Sequence, residues 1–337
     1  MCGEGGESSG TGPVRAPHLR RVGDVEDLTP LVTRIRTAPG LRAKLELDAV
    51  AETLGGDGDD AGLVSIVEQW AGVLSCRRVN DADLARDPAR TAYRGVIATL
   101  SNMAASGARA MGLVNAVSGA PGTHRPILEG IRAAAEAFDV PVLGGDTTVG
   151  GEPSLSVFAV GWTSRPLSAA HLRPGDELVM VTCSDVVLER TGEGLVLDHL
   201  DGPRGARAAA DLDLIPSLSD IGAAWAARDI SRSGLVGSVI QLLESAGSLG
   251  ASIDLDALTP PEGVSLEDYL VAAQTFGFIL SGERERIRSE VEAASLDFRL
   301  LGVVDDSGVV RLRRGGAEVP VWDLTRERLT GLRTPGR

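Results

Sequence analysis

The sequence predicts an α+β protein of two domains. Strand-like and helix-like apolar patterns alternate along the chain. Each half opens on strands and then mixes strands with helices in a similar order. A polar, turn-rich segment, SRPLSAAHLRPGDE, separates the halves, and 337 residues suffice for two cores.

Taken in order, residues 1–22 are rich in Gly, Ser and Pro and read as a disordered tail. Residues 23–165 and 172–320 are the expected domains, and 321–337 a C-terminal tail. Helical patterns cover Leu28 to Thr37 and Leu41 to Leu54, broken at Pro39 and Gly40. The strand GLVSIV follows GGDGDDA. Between Ala92 and Ser106, Tyr93, Val96, Ile97, Leu100 and Ala104 share one helical face. A strand from Ala110 to Val117, a helix from Ile127 to Phe138, the string PVLGG and a strand from Ser154 to Trp162 complete the first half. The second half holds a strand at Glu177 to Thr182, a helical patch around Gly205 to Ala227 and a strong helix at Gly234 to Ala246. ASIDLDAL, a helix near Ser265 to Gln274, TFGFILSG and DFRLLGVV follow.

Composition excludes several classes. A net charge of −14 opposes a nucleic-acid surface. The apolar runs are too short to span a bilayer, and no basic-then-apolar leader opens the sequence. The expectation is a cytoplasmic protein with no membrane partner. Cys2, Cys76 and Cys183 form no CxxC pair, so no zinc site or disulfide framework is indicated, and the latter two read as core. Lys44 is the only lysine and no GxxxxGK[ST] occurs, which excludes a P-loop.

Four short signals carry chemistry: GGDGDDAG at Gly55 to Gly62, LSNMAASGARAMG at Leu100 to Gly112, GGDTT at Gly144 to Thr148, and ARDISRSGLVG at Ala227 to Gly237. Each joins an acid or amide to small residues near an element end. Glycines let backbone approach a polyanion, and Mg2+ binds one or two carboxylates plus phosphate oxygens. In this order the signals resemble the superfamily of aminoimidazole ribonucleotide (AIR) synthase, selenophosphate synthetase, thiamine-monophosphate kinase and hydrogenase maturation protein HypE. They are most similar to AIR-synthase-related proteins of unassigned function.

That resemblance implies a PurM-like two-domain fold, with a strand-rich N-terminal domain forming a dimeric barrel in a homodimer and a C-terminal α/β sandwich domain. It implies ATP and Mg2+ as cofactors. Asp59, Asp60, Asp146 and Asp229 become candidate metal ligands. Gly144, Gly145, Thr147, Ser106, Gly107 and Asn102 become candidate nucleotide-binding residues. Asp60, Arg232 and His124 are the candidate catalytic residues. Departures matter as much. Asn102 replaces an acid in the second motif, VLSCRRVND lacks the strand-end acid of related enzymes, and Arg232 replaces the second acid of the kinase's DVSDG. Plainer roles exist too: a solvated turn for Asp57, Asp59 and Asp60, a helix cap for Asp229, a structural hydrogen bond for Asn102, and a surface-loop position for His124.

The function expected is ATP- and Mg2+-dependent activation of an amide or carbonyl oxygen of a small substrate by phosphorylation, releasing ADP and phosphate. A small-molecule kinase resembling thiamine-monophosphate kinase is one alternative. A non-catalytic nucleotide-binding protein with an eroded metal site is the other.

Overall fold

A computed structural model describes residues 27–54, 61–67, 70–200 and 204–332. Helices α1 (Thr29–Thr37), α2 (Pro39–Arg42) and α3 (Asp48–Leu54) come first, with a 3-10 turn at Ala43–Leu47 between the last two. Pro39 starts α2, since a proline at the first helical position loses no needed N–H. The first sheet is built from β1 (Gly62–Val67), β2 (Trp70–Arg78), β3 (Arg109–Gly119) and β4 (Val142–Thr163), and its order is β1-β2-β4-β3. Helices α4 (Asp81–Arg86), α5 (Pro88–Ala105) and α6 (His124–Ala137) intervene. Asn80 caps α4 by accepting from the Asp83 amide at 3.0 Å, and Asp87 caps α5 by accepting from the Arg90 amide at 3.2 Å. Gly107, at φ +77°, ends α5 in a conformation other residues resist.

β4 embraces β3. Residues 154–162 pair with β3 in opposing order, whereas residues 142–150 pair with it in the same order, from Leu113–Val142 through Ala116–Asp146 to Gly119–Gly150. The chain turns at Gly150 and Gly151, at φ +127° and +74°, passing from one side of β3 to the other. The strings PVLGG and Ser154 to Trp162 are thus two arms of one element.

The second half contains β5 (Glu177–Thr182), β6 (Val187–Thr191), β7 (Gly194–Asp198), α7 (Ala208–Asp220), β8 (Ala224–Asp229), α8 (Gly234–Ser245), β9 (Gly250–Asp254), α9 (Leu266–Val271) and β10 (Ala273–Gln274). It ends with β11 (Gly277–Gly282), α10 (Arg284–Ala293), β12 (Asp297–Asp305), β13 (Val309–Arg314) and β14 (Ala317–Asp323). Seven strands form one sheet, β14-β13-β9-β12-β5-β11-β8, and β10-β7-β6 a small second one. The patch from Gly205 to Ala227 is helix only to Asp220. Its AWAA end is the start of β8, where alanines pack between sheet and helix without the bulk that marks a strand in sequence.

Period-two alternation feeds two cores from the seven-stranded sheet. On β5, Val179 and Val181 join the core shared with α5, α6 and α7, while Leu178 and Met180 join the core around α8. Leu28, Leu31, Ile35 and Leu41 pack into that second core, so the first helices of the chain lie on its second half. α5 touches both sheets, against β2 and β4 on one side and β8 and α7 on the other. Mixed helix and sheet content makes the chain α+β. No described helix is long and apolar enough to cross a membrane.

Among the described residues, the first sheet's outer face is apolar and uncovered. Leu74, Val114, Phe158, Val160 and Trp162 are all exposed there, and Leu74 pairs with Val160, Val114 with Phe158. Cys183 is buried as expected, but Cys76 is exposed on that face because it pairs with Phe158 in an outward row.

Candidate active site

Two regions gather the residues singled out by sequence. The first is the outer arm of β4, where residues 141–150 are exposed throughout. Gly144 and Gly150 have nothing within 4 Å of where a Cβ would stand, so a ligand can approach the backbone closely. Gly145 has no such room. Its missing Cβ lets the Asn115 side chain lie against the arm, with Asn115 Nδ2 donating to the Gly144 carbonyl at 3.3 Å. Asp146 projects from the same arm, with Thr148 Oγ1 3.4 Å from its Oδ2. Thr147 is exposed beside it and pairs with Val117. His124, at the start of α6, points Nε2 at the Thr148 carbonyl from 3.2 Å, so that nitrogen carries the proton and donates.

The second region is a cleft of about 530 Å³ between the two halves. It is lined from β2, α5, the β6–β7 hairpin, β8 and the loop into α8, with Lys44 and Leu47 from the N-terminal segment and Thr330 and Leu332 from the C-terminal one. Asn102, Asp229 and Arg232 face it. Asn102 also donates through Nδ2 to Ser75 Oγ at 3.1 Å. Asp229 ends β8 and is buried. It lies four residues before Ser233 in sequence and inside the strand, and no described side chain caps α8.

Ser106 and Gly107 do not line the cleft. Ser106 is buried and donates to the Asn102 carbonyl at 3.1 Å, closing the last turn of α5. A Cβ on Gly107 would crowd the Arg165 carbonyl and Ser219, which places it in the seam between the halves. Asp57, Asp59 and Asp60 lie outside the described residues.

Charge distinguishes the cleft. Seven Lys and Arg side chains line it against five carboxylates, in a chain of net charge −14. At one end, Arg90 and Arg94 of α5 meet Glu189 and the wholly buried Asp198: Arg94 Nε donates to Asp198 at 2.9 Å and Arg90 Nη2 at 3.2 Å. At the other end, Arg77 and Arg232 both donate to Glu193. Burial pushes the Arg77 guanidinium below its ordinary pKa. Glu193 opposes that, neighbouring Arg232 reinforces it, and Asp229 opposes it. None of Arg77, Arg90, Arg94, Glu193 and Asp198 was marked by motif. The paired arginines of VLSCRRVND were the one visible signal.

Residues 58–163 match the family described as AIR synthase related protein, N-terminal domain. The chain is similar to the AIR synthase-related superfamily. An uncharacterized protein of Synechocystis sp. is 24% identical over 319 residues, which is 90% of this chain and 98% of that protein. A thiamine-monophosphate kinase of Synechococcus elongatus is 27% identical over 286 residues, 76% of this chain and 86% of the kinase. Among solved structures, T. maritima PurL complexed with ATP superposes with a TM-score of 0.67 at 19% identity, covering 82% of this chain. This chain spans about half of that PurL chain, 48%.

Among the described residues no three His, Cys, Asp or Glu side chains converge on a metal position. Mg2+ asks less of a protein, keeping waters and phosphate oxygens beside one or two carboxylates. The open, glycine-flanked Asp146 suits that need.

Proposed function

We propose that this chain is a cytoplasmic, ATP- and Mg2+-dependent enzyme that phosphorylates an amide or carbonyl oxygen of a small substrate and then releases ADP and phosphate. The open arm carrying Asp146 between Gly144 and Gly150 carries this reading, because it offers a carboxylate and bare backbone to a polyphosphate. Asp146 at the arm and Asp229 at the cleft wall would each offer a carboxylate to Mg2+, with Asp59 and Asp60 as further ligands, and Mg2+ when bound would neutralise phosphate charge. An amide oxygen is a poor leaving group, and phosphorylation makes it a good one. Arg232, in the cleft, would supply positive charge on the substrate's side of the reaction. His124, donating to the arm's backbone, would hold the arm's shape.

The test is product analysis. With Mg-ATP and a carboxamide or carbonyl substrate labelled with heavy oxygen, the label should appear in free phosphate, and thiamine monophosphate should not turn over. A stable phosphorylated product without free phosphate would establish a kinase. Absence of ATP turnover across such substrates would favour a nucleotide-binding protein without catalysis.

The same reading includes a homodimer joined through the outer face of the first sheet. Leu74, Phe158, Val160 and Trp162 support it, since an apolar sheet face of this kind needs a partner. Light scattering should give a dimer at micromolar concentration, and Val160→Glu, which buries a charge in the joint, should give a folded monomer. A wild-type monomer with or without Mg-ATP would refute it.

A further inference from the structure

We propose that Arg77 and Arg232 form a seat for a phosphate-type oxyanion of the substrate, and that Glu193 occupies this seat until the ligand displaces it. The inference rests on the enzymatic reading above and adds the chemistry of the second ligand. Two guanidiniums from different elements, β2 and the loop before α8, converge on one carboxylate at the tip of the β6–β7 hairpin. The other arginine pair of the cleft, Arg90 and Arg94, is matched by two carboxylates, Glu189 and Asp198. At the Arg77 end both arginines share Glu193, and Asp229 adds a weaker charge interaction with Arg77. Arg232 is also the residue that stands where the kinase motif has an acid.

The surroundings hold the backbone on both sides of the seat. The Asp83 carboxylate accepts the Gly192 amide at 2.8 and 2.9 Å, pinning the hairpin tip. Glu193's own amide donates to Thr191 Oγ1 at 3.2 Å. On the opposite wall, Gly40 lacks the Cβ that would overlap the Arg232 carbonyl, so the backbone at Arg232 is packed in place. Release of the seat then needs only a rotamer change at Glu193, which is fast.

The competition also selects the ligand. A tethered carboxylate acts as if present at millimolar concentration or above, so a free carboxylate of equal charge gains nothing by replacing it. A phosphate group brings nearly two charges and three acceptor oxygens, and it matches the planar forks of two arginines. Glu193 thus offsets part of the positive charge of the empty seat and filters its ligands by charge.

Calorimetry with inorganic phosphate tests this on the full-length protein, with Mg-ATP titrated separately. Glu193→Gln should tighten phosphate about tenfold, and adding Arg232→Gln to that variant should abolish the gain. Glu136→Gln, an equal charge change at an exposed site on α6, should leave phosphate affinity unchanged. Phosphate should still bind when Mg-ATP is saturating. Unchanged or weaker binding in Glu193→Gln, a gain that survives Arg232→Gln, or exclusion of phosphate by Mg-ATP would each overturn the proposal. Phosphate behaving as expected in a protein that binds no Mg-ATP would sustain the seat and sink the ATP-dependent reading.

Discussion

Replacing Asp198 with alanine should cost about 3–5 kcal/mol of stability, the penalty for breaking a buried ion pair from one side. Asp198 is completely buried at the end of β7. One oxygen takes Arg94 and Arg90. The other accepts the Leu200 amide at 2.8 Å and faces Thr275 Oγ1 at 3.3 Å. Removing it leaves a backbone donor unsatisfied and takes from two guanidiniums their buried carboxylate, with the partly exposed Glu189 beside them. Because α5 follows the first sheet's β2 and β7 belongs to the second half, the loss should be felt as looser coupling of the halves. Thermal unfolding should fall by many degrees, whereas Glu136→Ala, which breaks an exposed pair with Arg132, should change little. The double variant Asp198→Ala/Arg94→Met should recover part of the loss, since it removes one of the stranded charges. An unshifted unfolding temperature in Asp198→Ala would show that the network holds nothing together.

That network was invisible in the sequence, and the reason is geometric. Arg90 and Arg94 sit one turn apart on a helix that reads clearly from Val96, Ile97 and Leu100, but their partners lie about a hundred residues away. Nothing local in VLERT or GLVLD announces a hairpin, because both strands are short and only partly buried. The same limit hid β13 and β14, whose RLRR and AEVPVWD alternate charge with apolar groups across a half-exposed sheet edge. Where burial is continuous the reading was direct: β5 spans Glu177–Thr182 as expected, and α8, buried on every side, runs Gly234–Ser245. Motif residues behaved unevenly for a related reason. GGDTT and His124 meet because βα connections bring a strand end and a helix start together. Ser106 and Gly107 share their motif with Asn102 but end a helix instead of facing the cleft.

Asp146→Asn should weaken Mg-ATP binding by about 100-fold or more. Losing a group that merely orients a metal ligand already costs about 10- to 100-fold, and losing a direct ligand should cost at least as much. The substitution keeps size and one oxygen and removes only charge, so a folding defect is not expected at this exposed position on an outer strand. Neither backbone pairing nor the core depends on it: Asp146 pairs with Ala116 through main-chain atoms, and its carboxylate has Thr148 Oγ1 nearby at 3.4 Å. Calorimetry should therefore show a native unfolding curve together with lost nucleotide affinity, and the loss should shrink when ATP is titrated without Mg2+, because the missing charge acts through the cation. Asp139→Asn serves as the reference: Asp139 is a nearby acid in the turn after α6, outside the glycine-flanked arm. Equal Mg-ATP affinity in wild type and Asp146→Asn would remove the arm from the nucleotide site and leave the interdomain cleft, with Asp229 at its wall, as the place to look for ATP.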